Sequence, residues 1–293
     1  MKLAVTGSTG MLGRDLVPTL SARHQVSPLG RLKADITDED QVVCAISAAE
    51  PDAVIHAAAF TAVDRCESEP DLAFQINSTG TGHVAAACRR LGIPMVYFST
   101  DYVFDGTKPD PYLESDAPNP LSVYGKSKWE GEKRVIDALE HFWIIRVSWL
   151  FGPQGKNFVR TILGMADEGK ALRVVDDQRG APTYTEDLSL KIDEIIRNAP
   201  GGIYHVTNQG YCSWFDFARE ALKQAGLERA SISPIATSET GRPAPRPANS
   251  RLANSRLEAE GLGLLPSWQD ALARYLRRDS EWRRRSSRDH DPT

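Results

Sequence analysis

A glycine-rich turn near the start of the chain restricts the fold more than any other feature. The run from Lys2 to Thr6 is short, apolar and typical of a β-strand, and it stops at the segment Gly7-Ser-Thr-Gly10-Met-Leu-Gly13. From Arg14 to Ala22 the apolar residues then follow the spacing of a helix. This order of strand, turn and helix is typical of the first unit of a dinucleotide-binding sheet, although an ordinary β–α turn can carry the same glycines.

Each glycine of this turn has a mechanical role in that interpretation. Gly7 makes the tight turn, Gly10 lets backbone N–H groups approach a diphosphate at the helix N-terminus, and Gly13 lets the helix pack close to the strand. Met11 and Leu12 lie between them, and we expect all five residues to contact a dinucleotide cofactor. The spacing is Gly-x-x-Gly-x-x-Gly, which differs from the Gly-x-Gly-x-x-Gly of many dehydrogenases.

The residues after the second predicted strand bear on the choice of cofactor. This strand, Gln25 to Leu29, is followed by Arg31, where folds that prefer NAD commonly carry an acidic residue for the ribose diol. An arginine there favours the 2'-phosphate of NADPH, with NADH as the alternative because an arginine at a strand end is often only solvated. Asp35 and Ile36 follow closely, and we expect them to contact the adenine.

Short apolar runs and helical patterns alternate along the first half of the chain. Ala53 to Ala59 and Ile93 to Phe98 are apolar runs of the kind that strands buried on both faces show, and Asp71 to Leu91 between them reads as one long helix. The small Ala58 and Ala59 would let a flat ligand lie against the backbone. The sequence therefore predicts an α/β fold with a doubly wound, Rossmann-like parallel sheet.

The pattern changes after about residue 152, which suggests a second region. We expect residues 1–151 to form a dinucleotide-binding domain and residues 152–279 a smaller C-terminal α/β region that mainly binds substrate. Residues 280–293 contain four arginines and no apolar residue after Trp282, which predicts a disordered tail. A nucleic-acid-binding arm is disfavoured because the chain as a whole carries a net charge of −4.

Composition excludes several other classes of protein. The 293 residues are 41% hydrophobic and 25% charged, and no apolar run approaches the roughly 18 residues that a membrane span needs. The strand-like run directly after Met1 leaves no room for a signal peptide. Four scattered cysteines and six histidines show neither a disulfide framework nor metal-ligand spacing, so we expect a cytoplasmic protein with no predicted metal site.

The segment Ser122 to Lys128 carries the candidate chemistry. If it is helical, Tyr124 and Lys128 lie one turn apart on one face, and a positive charge beside the phenol would lower its pKa and make it a usable proton donor. Such a pair also occurs on many exposed helix faces. Thr100 and Asp101, at the end of the fourth predicted strand, should reach the same edge of the sheet as the glycine turn, so one dinucleotide would touch all these residues.

Together these features resemble the extended short-chain dehydrogenase/reductase superfamily, and within it the dTDP-4-dehydrorhamnose reductase family. The resemblance runs from Lys2 to about Leu276. The glycine turn and the Tyr/Lys pair fit many relatives, whereas the segments Ser99-Thr-Asp-Tyr-Val-Phe104 and Asp177-Gln-Arg-Gly-Ala-Pro-Thr183 are more specific. Other matching segments are Ala57-Ala-Ala-Phe-Thr-Ala-Val-Asp64, Arg146-Val-Ser-Trp149 and Arg246-Pro-Ala-Asn-Ser-Arg-Leu252.

The resemblance implies reduction of the 4-keto group of dTDP-4-dehydro-L-rhamnose to dTDP-L-rhamnose. Tyr124 would supply the proton, Lys128 would bind the nicotinamide ribose, and Thr100 would hold the keto oxygen. The remaining implied substrate contacts involve four residues. Asp101 would lie next to the sugar, Trp149 would offer it a flat wall or serve as a core tryptophan, and Asn157 and Arg251 would meet the diphosphate.

The resemblance leaves several alternatives open. Some family members bind Mg²⁺ through carboxylates at a dimer contact, and Asp15 and Glu186 match that set only in part, so the chain could be a monomer or a homodimer. A sugar-nucleotide dehydratase or epimerase shares the fold, although Tyr102 stands where a dehydratase usually has an acid. The regulatory subunit of methionine adenosyltransferase also resembles these reductases and acts by binding.

Overall fold

A computed structural model describes the backbone of residues 1–288 and the side chains of residues 1–278. Strands and helices alternate through the first half of the chain, as the sequence predicts. The elements are β1 (Lys2–Thr6), α1 (Gly13–Ser21), β2 (Gln25–Leu29), α2 (Glu39–Ala49), β3 (Ala53–His56), α3 (Val63–Ser68), α4 (Pro70–Phe74), α5 (Thr81–Leu91), β4 (Met95–Thr100), α6 (Val123–Ala138) and β5 (Phe142–Val147).

The second half contains shorter strands among its helices. Its elements are β6 (Leu150–Phe151), α7 (Phe158–Asp167), β7 (Leu172–Val175), β8 (Arg179–Gly180), β9 (Thr183–Tyr184), α8 (Thr185–Asn198), β10 (Gly202–His205), β11 (Cys212–Ser213), α9 (Trp214–Gln224), β12 (Ile232–Ile235), α10 (Ser255–Ala259) and α11 (Trp268–Arg288).

Six parallel strands form the central sheet, in the order β10-β5-β4-β3-β1-β2. Strand β1 pairs with β2 on one side and with β3 on the other, so the strand order reverses at β1. In such sheets, ligands bind outside the carboxyl ends of the strands at the reversal point. This topology confirms the predicted α/β class, and it brings the ends of β1, β3 and β4 to one edge.

Helices cover both faces of the sheet, which is why its central strands are continuously apolar. On one face, Leu3 and Ile55 belong to a core cluster with Leu16 of α1 and Ile192 of α8. On the other face, Val54 belongs to a cluster built with α2, α5 and α6. Every residue of β3 and β4 is buried. Parallel strands buried on both sides need apolar residues on both sides, which the sequence supplies.

The single long helix expected over Asp71 to Leu91 is instead three pieces. Helix α4 passes into a π-helical turn, Gln75–Gly80, before α5 begins. A π-turn widens the helix by one residue and often marks a functional site. The predicted strand from Ala53 is also shorter, since β3 ends at His56 and the chain then turns away past the glycine turn.

The region after residue 152 contributes to two places in the molecule. A separate aromatic core gathers Phe151, Phe217, Trp268 and Tyr275 where α7, α9 and α11 meet. In contrast, β10 pairs with β5 as an edge strand of the large sheet, and α8 packs against α1. The chain therefore returns to the large sheet after residue 152, and the division at residue 151 remains a prediction.

The disordered tail expected for residues 280–293 remains a prediction. Helix α11 continues to Arg288, into the segment 280–293 for which the sequence predicts disorder, and residues 289–293 lie outside the described part. Within the described part, no helix has the length and apolarity needed to cross a membrane. All four cysteines are unpaired, and three of them are buried.

Candidate active site

The glycine turn is as tightly packed as its predicted role requires. Gly7 has a positive φ of 66°, and a Cβ there would lie only 2.5 Å from the Ala58 nitrogen. A Cβ on Gly13 would collide with the Gly7 carbonyl oxygen and lie 2.7 Å from the Cα of Ser8. The Gly10 N–H donates to the Gly7 carbonyl at 3.0 Å. Side chains are therefore excluded where backbone N–H groups face a diphosphate at the start of α1.

A cleft of about 290 Å³ opens beside this turn at the carboxyl edge of the sheet. Met11 and Leu12 do not line it, since they lie in the turn itself, where Leu12 is the buried residue directly before α1. The small alanines after β3 leave the width that a flat ligand needs. Seven of the predicted cofactor residues line the cleft, namely Gly7, Gly10, Arg31, Asp35, Ile36, Ala58 and Ala59.

Arg31 and Asp35 form an ion pair at the mouth of this cleft. The Arg31 Nε lies 3.1 Å from Asp35 Oδ2, and the arginine side chain is 79% exposed. Asp35 Oδ1 accepts hydrogen bonds from the Thr37 backbone N–H at 3.1 Å and from the Thr37 hydroxyl at 2.8 Å. These bonds, led by the Thr37 backbone, lower the pKa of Asp35. An adenine amino group approaching Asp35 would share a carboxylate that already has partners.

Helix α6 starts at a serine cap and lies close to the sheet because of two glycines. The Ser122 hydroxyl accepts from the Gly125 N–H at 3.1 Å. A Cβ on Gly125 would collide with the Tyr102 carbonyl oxygen, and one on Gly131 would collide with the Asn77 carbonyl oxygen. This close approach brings the face that carries the predicted Tyr/Lys pair against the end of β4.

Lys128 is buried beneath this face. Its Nζ donates to the Phe98 carbonyl at 2.7 Å and lies 4.2 Å from the centre of the Tyr97 ring. Burial lowers the pKa of Lys128 to about 7, although nearby Glu132 opposes the shift. Glu132 itself forms a buried two-point ion pair with Arg146 of β5, at 3.0 and 2.8 Å, which fixes α6 on the sheet.

Tyr124 is half-buried, and its electrostatics correct the expectation from the sequence. Burial raises the pKa of the Tyr124 phenol above its ordinary value, and the Thr100 hydroxyl offsets this only in part. The expected lowering by Lys128 does not prevail, because the ammonium is bound to the Phe98 carbonyl. The Tyr102 ring packs edge-on against Tyr124 with 5.8 Å between centroids. Tyr124 is therefore held as a neutral proton donor.

Thr100 and Asp101 lie at the end of β4, as predicted, and both are buried. The Thr100 hydroxyl is 3.0 Å from Asp101 Oδ1 and accepts from the Tyr102 N–H at 3.2 Å. Burial raises the pKa of Asp101 to about 7, against smaller opposing effects from the Ser250 and Thr100 hydroxyls. The structure therefore brings a threonine, a phenol and a carboxyl group together.

A further polar group behind this site is absent from the sequence prediction. Asn77, in the π-helical turn, accepts from the Phe60 N–H at 2.8 Å and donates to the Phe60 carbonyl and the Ser127 hydroxyl, both at 3.0 Å. Its carbonyl also accepts from Thr81, which lies 3.2 Å from the buried His56. The polar run Gln-Ile-Asn-Ser-Thr-Gly inside an apolar helical pattern was the available signal.

Trp149 is held in an unusual conformation. Its φ of 48° lies in the left-handed region, which non-glycine residues rarely adopt. The indole stacks on Trp214 with 3.6 Å between centroids and 10° between planes. A Cβ on Gly180 would lie 2.5 Å from the indole, so the ring is packed on that side as well. One ring face is thus covered by Trp214, which limits the flat wall that Trp149 could offer to a sugar.

A second, larger cavity of about 500 Å³ lies between α7, β7, β12 and the segment after β12. Arg246, 8% exposed in its side chain, lines it and binds both oxygens of Asp64 at 2.9 Å. Arg242 lines it too and is exposed. The full lining is Phe158, Thr161, Ile162, Met165, Arg173, Val174, Val175, Gln178, Trp214, Ile235, Glu239, Thr240, Arg242 and Arg246. No local pattern in the sequence indicates this cavity, because its walls come from distant segments.

Asn157 and Arg251, predicted to meet the diphosphate, have other partners and line neither cavity. Asn157 is buried as the cap of α7, where it accepts from the Arg160 N–H at 3.0 Å and donates to the Gly152 carbonyl at 2.7 Å. Arg251 donates its Nε–H to Asn249 Oδ1 at 2.8 Å. These contacts hold local loops, whereas three other arginines, Arg173, Arg242 and Arg246, line the larger cavity.

Asp15 and Glu186, the partial match to a magnesium site, share an arginine. Arg278 lies 3.2 Å from Asp15 Oδ1 and 3.1 Å from Glu186 Oε2. Asp15 also accepts from the Thr185 hydroxyl at 2.5 Å, and burial raises the pKa of its carboxyl. Among the side chains described, no three metal-binding residues cluster. Because a guanidinium already joins the two carboxylates, these residues do not fit a magnesium ion.

Comparison with known proteins agrees with this site. The family model described as the RmlD substrate binding domain matches residues 1–281. A dTDP-4-dehydrorhamnose reductase of Streptomyces griseus is 42% identical over 92% of this chain and 90% of its own. The spore coat polysaccharide biosynthesis protein SpsK of Bacillus subtilis is 41% identical over 95% of this chain and 98% of its own.

Solved structures show the same likeness in three dimensions. The dTDP-4-dehydrorhamnose reductase of Bacillus anthracis, crystallised in complex with NADP, superimposes with a TM-score of 0.92 at 39% identity, covering 94% of this chain and 99% of that one. With the sheet order, the glycine turn and the Thr100, Tyr124 and Lys128 arrangement, these matches show that the chain belongs to the dTDP-4-dehydrorhamnose reductase family of extended short-chain dehydrogenases/reductases.

Proposed function

We propose that this protein reduces the 4-keto group of dTDP-4-dehydro-L-rhamnose to dTDP-L-rhamnose, with NADPH as reductant. The observation that carries the proposal is that the Thr100 hydroxyl bonds to the Tyr124 phenol at the carboxyl end of β4, with Lys128 one turn along the helix from Tyr124. The glycine turn lies at the same edge of the sheet, after β1. The relatives named as reductases of this sugar nucleotide support the choice of substrate. Free, mostly buried thiols fit a reducing compartment such as the cytoplasm.

The chemistry needs a hydride and a proton. When bound, the dihydronicotinamide supplies the hydride to the keto carbon. As the C=O π electrons move onto the oxygen, Tyr124 donates its proton to that oxygen and Thr100 holds it in place. The raised pKa of Tyr124 keeps the phenol protonated before the transfer. Lys128, one turn along the same helix, would bind the ribose of the nicotinamide.

The larger cavity offers a site for the nucleotide. Phe158 and Trp214 supply aromatic rings for a base, and the exposed Arg242 supplies charge for a diphosphate. Contacts connect this cavity to the reacting groups. Arg246 forms a hydrogen bond with the Tyr102 phenol, and the Tyr102 ring packs edge-on against Tyr124. A nucleotide in the cavity would therefore place its sugar towards the phenol.

The residues that line the smaller cleft favour binding of NADPH rather than NADH. Glycines that exclude side chains leave room for the diphosphate, and Arg31 at the mouth of the cleft is exposed enough to meet a 2'-phosphate. Bidentate contact with a phosphate would compete with its ion pair to Asp35, which is weak because it lies at the surface.

The deciding experiment mixes the purified protein with NADPH and dTDP-4-dehydro-L-rhamnose. We expect loss of the reduced-nicotinamide absorbance and formation of dTDP-L-rhamnose, identified by mass and NMR. Parallel reactions with other 4-keto sugar nucleotides would identify a different sugar or nucleotide. The absence of turnover with every 4-keto sugar nucleotide would reject the proposal and favour a binding role, such as that of a regulatory subunit.

A further inference from the structure

The hydroxyl of Thr100 has one proton and several neighbours that compete for it. Its oxygen lies 3.0 Å from Asp101 Oδ1 and accepts the Tyr102 N–H at 3.2 Å. It also forms a hydrogen bond with the Tyr124 phenol, and this bond lowers the pKa of that phenol. A keto oxygen placed at Tyr124 would be a further acceptor for the same proton.

The charge of Asp101 decides where that proton points. An ionised carboxylate can only accept hydrogen bonds, so beside it Thr100 must donate to Asp101 and has only lone pairs left for a ligand. A carbonyl oxygen also only accepts, and would receive nothing from Thr100. A neutral Asp101 instead donates to Thr100. The threonine oxygen then accepts from both Asp101 and the Tyr102 N–H, and its own proton is free for the keto oxygen.

The surroundings of Asp101 favour the neutral form. The residue is 2% exposed, and Oδ2 has no hydrogen-bond partner among the described residues. The Ser250 hydroxyl lies near enough to Asp101 to stabilise its ionised form and lower its pKa. The same hydroxyl also lies 3.5 Å from the Arg179 carbonyl oxygen, to which it can donate. A buried carboxylate with an unpartnered oxygen is costly, and burial accordingly raises the pKa of Asp101 to about 7.

No cation in the described part forms an ion pair with Asp101. The phenols of Tyr124 and Tyr102 face it from α6 and from its own turn, and its negative charge raises the pKa of each. Arg246 is bound to Asp64, and the Lys128 ammonium is bound to the Phe98 carbonyl. The positive charge of Arg242 lowers the pKa of the Tyr102 phenol.

We propose that Asp101 is a positioning residue whose neutral carboxyl group turns the Thr100 hydroxyl towards the keto oxygen of the substrate. Ionisation of Asp101 withdraws that hydrogen bond. The neutral fraction of a carboxyl falls as pH rises, so reductase activity falls above neutrality. The inference rests on the proposed function for its substrate.

The kinetic test compares pH profiles of kcat/KM for wild type and Asp101→Asn. Asparagine cannot ionise, and its amide N–H can donate to Thr100. Lys128 also has a pKa lowered to about 7, so the wild-type profile contains its titration as well. We expect the slope of log(kcat/KM) above neutral pH to be one unit shallower in Asp101→Asn. Equal slopes would assign the whole pH dependence to Lys128 and overturn the inference.

Two variants of Thr100 test the inference even if Asp101→Asn does not fold correctly. Thr100→Ser keeps the hydroxyl and should keep the wild-type pH slope. Thr100→Ala removes the group through which Asp101 acts, and its residual activity should show the shallower slope. A wild-type slope in Thr100→Ala would contradict action through Thr100.

An infrared test needs no turnover. The difference spectrum of wild type minus Asp101→Asn should contain the C=O stretch of a protonated carboxylic acid at about pH 6 and lose it by about pH 9. No such band at about pH 6 would overturn the inference. Because this readout is independent of substrate, failure of the proposed reductase activity would be seen separately, as wild-type protein that shows the band but does not consume NADPH.

Discussion

The cleft at the glycine turn and the larger cavity beside it are built from different parts of the chain. The cleft lies at the ends of β1, β2 and β3, three neighbouring strands of one sheet, and backbone atoms and small residues shape it. The cavity lies among α7, β7, β12 and the segment 239–246, and large side chains shape it. Short-range chain geometry determines the first, and packing between distant segments determines the second.

This difference explains how one fold serves many substrates. The cofactor site is restricted wherever a Cβ would collide with backbone, as at Gly7 and Gly13. The walls of the cavity are side chains that can change one at a time while the sheet stays intact. Cofactor binding should therefore respond sharply to small backbone changes, and substrate binding to single side-chain changes.

The largest effect should come from the Tyr124 phenol. Tyr124→Phe removes the proton donor and should lower kcat by roughly 10²- to 10⁴-fold, the usual range for a general acid. Since the ring still fills the same position, the affinity for NADPH, measured by fluorescence titration, should stay within about twofold of wild type. Unchanged kcat would show that another group supplies the proton.

Gly13→Ala should damage the cofactor cleft selectively. The new methyl group meets the Gly7 carbonyl and the Ser8 backbone, which cannot move aside as a side chain would, so we expect a loss of ~1–3 kcal/mol in stability and weaker NADPH binding. Gly164→Ala in α7 is the matched control, because nothing lies within 4 Å of its Cβ position. Chemical denaturation should show the control equal to or more stable than wild type by ~0.5–1 kcal/mol.

Arg242→Ala should affect the cavity alone. Losing a charge that meets the diphosphate should raise the KM for the sugar nucleotide by about 10-fold, while NADPH affinity stays unchanged. Arg219→Ala provides the control, because Arg219 is an exposed arginine of α9 whose partner is Asp216. Equal KM values for Arg242→Ala and wild type would remove Arg242 from the proposed substrate site.

The smallest effect should be the change of cofactor preference in Arg31→Ala. We expect NADPH to bind about 10-fold more weakly and NADH to bind as before, since only NADPH has the 2'-phosphate. Isothermal titration with both cofactors measures the ratio. An equal loss of affinity for both cofactors would mean that Arg31 stabilises the cleft through its ion pair with Asp35 and does not bind the 2'-phosphate.

The sequence predicted the parallel sheet and its flanking helices in the first half of the chain well because the signals are local. The alternation of buried strands with helices follows from a sheet covered on both faces, and the Gly7 to Gly13 spacing is set by a single turn. The spacing of Tyr124 and Lys128 predicted one helix face correctly, but it did not predict burial, which reverses the expected pKa change of the phenol.

The missed features depend on contacts across the fold. The π-helical turn that carries Asn77 has no strong signature in one sequence, and the Trp149 stack requires Trp214, which lies far along the chain. Asn157 has the residue type of a polar ligand, but its position before α7 makes it a helix cap. Residue type and local spacing did not distinguish these roles.

The arginine between Asp15 and Glu186 ties the far end of the chain to the first helix. Asp15 belongs to the first turn of α1, the helix that follows the glycine turn, and Arg278 reaches it from α11. Arg274, one turn earlier, clamps Asp187 at 2.7 Å. A protein shortened before these arginines would leave two buried acids without their counter-ions, next to the place where the first helix begins.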